Sequence, residues 1–154
     1  MEWKTHLLSG VVAGYSITGG DWRGALIGGV AGIVPDLDEP KSKFGKMFFF
    51  ISIPLSMFFA HRTFTHSLLF VLLSSGFALT FLDSEMTLAI IAGLLSHIVA
   101  DMLTGKVQLF YPYKKRVGIP IPRSFFILID RVTRYVLLLV VIWWLWEKVM
   151  HISI

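Results

Sequence analysis

Apolar residues along the chain gather into six stretches, at about 5–20, 24–35, 47–60, 67–82, 86–103 and 132–146, with most of the charge in the short segments between them. Most fall short of the ~20 residues that a freestanding membrane helix needs, so they must pack on one another or sit where the bilayer is thinned. Gly10 and Gly14 are four residues apart, as are Gly24, Gly28 and Gly32, a spacing that puts each set on one helix face. Such glycine ridges let two backbones approach closely in lipid. The pattern predicts a tight helical hairpin over residues 5–35, turning at Gly19-Gly20-Asp21. Stretch 47–60 is interrupted by Pro54 and reads as a re-entrant or interfacial element. The last stretch, over 135–146, holds only Val, Leu, Ile and aromatic residues and reads as an anchor. There Trp143, Trp144 and Trp146 form an interfacial belt beside Glu147 and Lys148.

Composition strengthens this picture. Of 154 residues 55% are hydrophobic and 16% charged, with a mean hydropathy of +0.73. A soluble domain carries about 25% charged residues, and a disordered chain is far less apolar. The absence of cysteine excludes disulfides and Cys-ligated zinc, so any metal must be held by His, Asp, Glu or water. A net charge of +4 points to an anionic membrane surface, and no nucleic-acid partner is expected. No removable signal peptide is evident in the first stretch, which contains His6 and reads as part of the mature fold.

Loop charge sets an orientation, because Lys and Arg stay on the cytoplasmic side. Segment 105–124 carries Lys106, Lys114, Lys115, Arg116 and Arg123 and is expected inside, as are Lys41, Lys43 and Lys46. The turn Asp83-Ser84-Glu85 has no basic residue and is expected outside. The resulting expectation is an all-α, polytopic helical protein of the cell's inner (plasma) membrane. It has about five transmembrane helices plus the re-entrant segment, with the N-terminus inside and the C-terminus outside. Residues 1–154 form a single integral membrane domain, 1–124 as a helical core carrying a metal site and 125–154 as a C-terminal anchor helix.

Ionisable residues within or at the ends of membrane segments are costly and mark functional candidates. This chain concentrates them in Pro35-Asp36-Leu37-Asp38, in His61-Arg62-Thr63-Phe64-Thr65-His66 and in Ser96-His97 with Asp101, besides His6. His97 and Asp101, four apart, project from one helix face as half of a site for a divalent cation. On the five-span topology Asp36, Asp38, His66, Asp101 and His6 all reach the cytoplasmic membrane face, a convergence that loop charge alone did not require. The bland readings are solvent-exposed Asp36 and Asp38 ending a helix, a Thr65 cap on a helix beginning at His66, and a structural His97–Asp101 pair. A shared metal site replaces all three. His151 reads as incidental.

The ordered set 32–38 (Gly-Ile-Val-Pro-Asp-Leu-Asp), 61–67 (His-Arg-Thr-Phe-Thr-His-Ser), Ser96-His97 with Asp101, and 109–113 (Leu-Phe-Tyr-Pro-Tyr) closely resembles the YdjM-like, membrane-bound, metal-dependent hydrolases of bacteria and archaea. The resemblance covers residues from about 6 to 124. That family's name rests on a His/Asp pattern similar to the all-helical zinc-dependent phospholipase C and nuclease group. The resemblance implies His6, Asp36, His66, His97 and Asp101 as the main metal ligands, with Asp38 and His61 second. The sequence departs from the family pattern at Glu39, where a His often stands, and at Thr63, where Gly is common.

The chemistry expected is hydrolysis of a phosphoester by metal-activated water, with two or more divalent ions, zinc first and manganese or iron next. Asp38 is the candidate general base or orienting carboxylate, and Arg62 the candidate partner of a phosphate oxygen. Lys114, Lys115 and Arg116, on a loop kept extended by Pro112, Pro120 and Pro122, would draw an anionic amphiphile such as a membrane lipid. The alternative is topogenic charge. A metalloprotease is disfavoured because no His-Glu-x-x-His helix is present. The remaining alternative is a non-enzymatic metal-binding membrane protein or transporter using the same ligands.

Overall fold

The computed structural model describes residues 1–152, except for the side chains of Arg123, His151 and Ile152, so the reading of His151 falls outside the described residues. The described chain is mostly helical. The seven α-helices are α1 (Trp3–Ile17), α2 (Trp22–Ala31), α3 (Lys43–Met47), α4 (Phe49–Phe58), α5 (Leu68–Ala78), α6 (Ser84–Thr104) and α7 (Arg123–Ile152). Two 3-10 turns, Val34–Asp38 and Phe64–His66, interrupt the helical run, and β1 (Lys106–Val107) pairs antiparallel with β2 (Val117–Gly118).

The hairpin α1–α2 turns over residues 18–21, where Asp21 caps α2 by accepting the Arg23 N–H at 2.8 Å. Its two helices meet backbone to backbone: a Cβ on Gly10 would overlap the Gly28 carbonyl, and one on Gly28 would collide with Gly10 and Gly14. Gly93 of α6 lies against the same Gly28 carbonyl, so a third helix joins the contact. Sequence spacing showed the first two ridges and not this third member, which stands alone in its helix. Around this seam Ala31, Val71, Leu94, Ile98 and Val107 form the apolar core. Helices α1, α2 and α6 make the central packing unit. Helix α5 packs on α6, and α7 packs along α1.

Among the described residues one helix, α6, is both long and apolar enough to cross a membrane, and α1, α2, α4 and α5 run 15, 10, 10 and 11 residues. Several other expectations need correction. The second stretch does not stay α-helical to residue 35, because Pro35 enters a 3-10 turn whose geometry carries Asp36 and Asp38 inward. Pro54 does not break its segment: it lies inside α4, a short helix with Phe49, Phe50, Met57 and Phe58 largely exposed. Thr65 does not cap a helix at His66. The cap is Ser67, which accepts the Phe70 N–H at 3.2 Å, and α5 starts at Leu68. Loop 105–124 is extended only in part, since β1 and β2 pair across it with turns between. The last helix starts at Arg123, well before the apolar run that signalled it.

Candidate metal centre

Each site residue is delivered by an element end. His6 occupies the first turns of α1, Asp36 and Asp38 the 3-10 turn after α2, and His61, Arg62 and His66 the turn before α5. His97 and Asp101 sit one helical turn apart on α6. The glycine seam brings α1 and α6 close enough for the His6 and His97 rings to stack with centroids 3.8 Å apart. Arg62 takes a left-handed backbone, φ 63°, uncommon for a residue with a side chain. That turn aims its N–H at Asp38 Oδ2 (3.3 Å), while its Nε–H donates to Asp101 Oδ2 at 2.9 Å.

His6, His66 and His97 are fully buried, and Asp38 and Asp101 nearly so. His97 Nδ1 lies 2.7 Å from the Gly32 carbonyl, which can only accept, so this nitrogen carries the proton and Nε2 presents a lone pair. The Thr65 hydroxyl donates to Asp38 Oδ2, which leaves its oxygen to accept from His66 Nδ1 at 3.0 Å. His66 Nε2 therefore also presents a lone pair in the neutral ring. Yet the two Nε2 atoms face each other at 3.1 Å, with Asp101 Oδ2 3.3 Å from His66 Nε2 and Asp36 Oδ1 3.8 Å from His97 Nε2. The Met1 ammonium meets Asp101 Oδ1 at 2.6 Å and Arg62 meets its Oδ2, but the two facing nitrogens still require a proton or a cation between them. His6 repeats the pattern. Its Nε2 stands 3.3 Å from Asp101 Oδ1 but without hydrogen-bond alignment, so neither ring nitrogen of this buried imidazole has a hydrogen-bond partner among the described residues.

Among the described residues three groups of donors could hold a metal ion: His6 with His97 and Asp101, Asp36 with His66 and His97, and Asp38 with His61 and His66. The donor atoms of each lie within 4.8 Å of one another. His97 belongs to the first two and His66 to the last two, so the groups form a continuous array. Nitrogen and carboxylate oxygen donors without sulfur suit zinc, manganese or iron. The hydrogen bonds from His97 to Gly32 and from His66 to Thr65 are outer contacts of the kind that fix ligand tautomers.

Electrostatics separate the two aspartates of the 3-10 turn. Burial alone would raise the Asp38 pKa, but hydrogen bonds from His61 (2.6 Å) and His66 outweigh it and hold the carboxyl well below its usual range. Burial raises Asp36, whose side chain makes no hydrogen bond among the described residues. For His66, burial disfavours the charged ring, but the hydrogen bonds to Asp101 and Asp38 prevail and push its pKa up to about 9.

The structure brings together His6, Asp36, Asp38, His61, Arg62, His66, His97 and Asp101. It leaves Lys114, Lys115 and Arg116 exposed on the loop between β1 and β2, without an ion pair among the described residues. Sequence reasoning missed two features. Thr65 links Asp38 to His66, whereas its spacing suggested only a cap. Asp130, nearly fully buried on α7, accepts from Glu2 N–H (2.8 Å) and Thr5 Oγ1 (2.9 Å) and pairs with Arg134. The signal for that pair was an Asp and an Arg at i and i+4 beside an apolar run.

Fold and centre together define a helical chain of membrane-protein composition whose buried histidines and aspartates could bind metal. The chain belongs to the YdjM inner membrane protein family, whose model matches residues 1–153, and so to a family of inner membrane proteins. It is similar to a Bacillus subtilis (strain 168) protein named Uncharacterized protein YvsG, 33% identical over 127 residues, 79% of each chain. It is also similar to the inner membrane proteins YdjM of Escherichia coli (strain K12) and Shigella flexneri, each 35% identical over 123 residues. Those alignments cover 74% of this chain and 61% of theirs. No solved structure matches the chain.

Proposed function

We propose that the protein is a membrane-bound, metal-dependent hydrolase that cleaves a phosphoester of an anionic amphiphile at the cytoplasmic membrane face. The observation carrying this reading is the pair of buried imidazole Nε2 atoms at 3.1 Å, each with its other nitrogen committed to an acceptor. His6, Asp36, His66, His97 and Asp101 would hold the ions, two or more, with Asp38 and His61 completing the array. Divalent ions there, zinc first, would supply Lewis acidity and lower the pKa of water. Asp36, raised in pKa by burial and without a side-chain hydrogen bond among the described residues, is the carboxylate best suited to accept the proton of an attacking water. Asp38 keeps His61 and His66 oriented. Arg62, half-buried and held by Asp101, faces a phosphate oxygen at the mouth of the centre. Lys114, Lys115 and Arg116 draw the anionic headgroup from the surface.

The topology belongs to the same reading. Five spans, formed by α1, α2, α5, α6 and α7, place the N-terminus and the centre inside, and α4 dips into the inner leaflet. The short helices are accommodated by mutual packing along the glycine seam.

The test is turnover of phosphatidic acid in detergent micelles by metal-loaded protein and by its Asp36→Asn variant, beside metal uptake into proteoliposomes. Turnover by the wild type, reduced at least about 100-fold by Asp36→Asn, supports the hydrolase. Metal flux without turnover would replace it with transport.

A further inference from the structure

Helices α2 and α5 each pack on α6 but hardly on one another, which leaves a lengthwise groove of about 910 Å³ between them. Leu26 and Val30 of α2 form one wall, and Leu73 and Phe77 of α5 the other. Ile90 and Leu94 of α6 make the floor, and Ser74 is the only polar side chain lining it among the described residues. Its two ends differ. One lies at Phe81 and Leu82, before the turn at Asp83. The other lies at Val34 and Phe64. Val34 opens the 3-10 turn that carries Asp36, and Phe64 opens the one that carries His66, so the groove ends on the two turns that carry these candidate ligands.

We infer that this groove holds one acyl chain of a glycerophospholipid whose phosphate lies at the centre, an inference that rests on the hydrolase reading above. The lining suits hydrocarbon along its length, while the turns at its Val34 and Phe64 end lead on to Arg62 and the metal-binding side chains, which suit an anion. An amphiphile with one anionic head matches that polarity, whereas a helix of a second copy would match the walls but leave the charged end without a counterpart. The volume lies in the about 300–1,000 Å³ range of small-molecule sites.

The test uses phosphatidic acid carrying a photoreactive diazirine midway along one acyl chain, added to the full chain in phosphatidylcholine nanodiscs and mapped by peptide mass spectrometry. Label on residues 22–34 and 68–82 is expected to exceed label on the exposed face of α7, at Leu139 and Ile142, by about tenfold. Excess unlabelled phosphatidic acid should remove it, and glycerol 3-phosphate should not. Filling the groove with Ser74→Trp, or from the floor with Ile90→Phe should the first variant fail to fold, should lower groove labelling about tenfold and leave α7 labelling unchanged. Even labelling of α5 and α7 would overturn the inference in favour of bulk lipid, and crosslinks between two α5 helices would overturn it in favour of a second copy. The two readings fail separately: labelled groove without turnover sinks the hydrolase and keeps the lipid site, whereas turnover with even labelling does the reverse.

Discussion

Two polar clusters are buried near the N-terminal end of α1, and they are built on opposite principles. Between α1 and α7, Asp130 accepts from Glu2 N–H and Thr5 Oγ1 and pairs with Arg134, which also reaches Glu2 Oε2 (2.7 Å) and Thr5 Oγ1 (3.2 Å). Every acceptor there meets a donor, and the charges alternate. In the His/Asp centre the matching is incomplete. Asp101 is met by the Met1 ammonium at 2.6 Å and by Arg62 at 2.9 Å, but His6 has no hydrogen-bond partner among the described residues, two imidazole lone pairs face each other, and Asp36 closes in on them without a hydrogen bond of its own. Burial of the first kind is complete without a ligand and fastens two helices. Burial of the second kind is stable only with a proton or cation supplied, which is why it reads as a working site.

The largest expected effect removes the open cluster. Metal analysis of detergent-purified protein should find near-stoichiometric metal in the wild type and background levels in a His97→Ala/Asp101→Ala variant that stays folded and monodisperse. The Asp130→Ala variant should keep its metal. If neither protein takes up zinc or manganese, both clusters are structural and the contrast collapses. A smaller loss should follow Thr65→Val, which leaves every ligand in place but frees the His66 ring: metal affinity should fall about 10–100-fold, as read by competition with a chelating dye.

How much of this was legible in the sequence follows from what spacing encodes. The glycine ridges Gly10/Gly14 and Gly24/Gly28/Gly32 showed the α1–α2 seam, and His97 with Asp101 showed one half of the centre, because both are same-helix periodicities. Convergence of the histidine and aspartate clusters was expected on the five-span reading, and the structure does bring their side chains together. Gly93 could not be found, since a lone glycine has no period and its role exists only against Gly28 of another helix. The tautomers of His66 and His97 depend on the Thr65 hydroxyl and the Gly32 carbonyl, contacts that tertiary packing sets. Apolar runs misjudged helix ends. A 3-10 turn at Pro35 and an amphipathic extension of α7 to Arg123 do not change the hydrophobic tally.

The closed cluster predicts a stability effect without a metal effect. Asp130→Ala deprives Thr5 and the Glu2 N–H of their acceptor and should cost about 1–3 kcal/mol, seen as a lower Tm in detergent. Replacing the whole cluster with apolar groups, as Thr5→Val/Asp130→Leu/Arg134→Met, should recover most of that loss, because no unpaired polar group then remains. Failure to recover would assign the cluster a role beyond fastening α1 to α7.

The smallest effect is one of pH, and it distinguishes proton from metal as the cation among the lone pairs. In the metal-free protein the His66 pKa is pushed up from 6.5 to about 9, so the folded state favours its protonated ring. The stability this contributes is fully present below about pH 6.5 and is lost as pH rises through about 9. Chelated protein should therefore show a falling Tm across that window. Metal-loaded protein, whose ligands must be deprotonated already, should lack that decline, so the gap between the two curves widens with pH. The triple apolar variant of the α1–α7 cluster should keep the wild-type slope, and His66→Gln should lose it. A chelated protein whose Tm does not fall in this window would mean that His66 binds no extra proton, and the facing nitrogens would then have to separate when metal is absent.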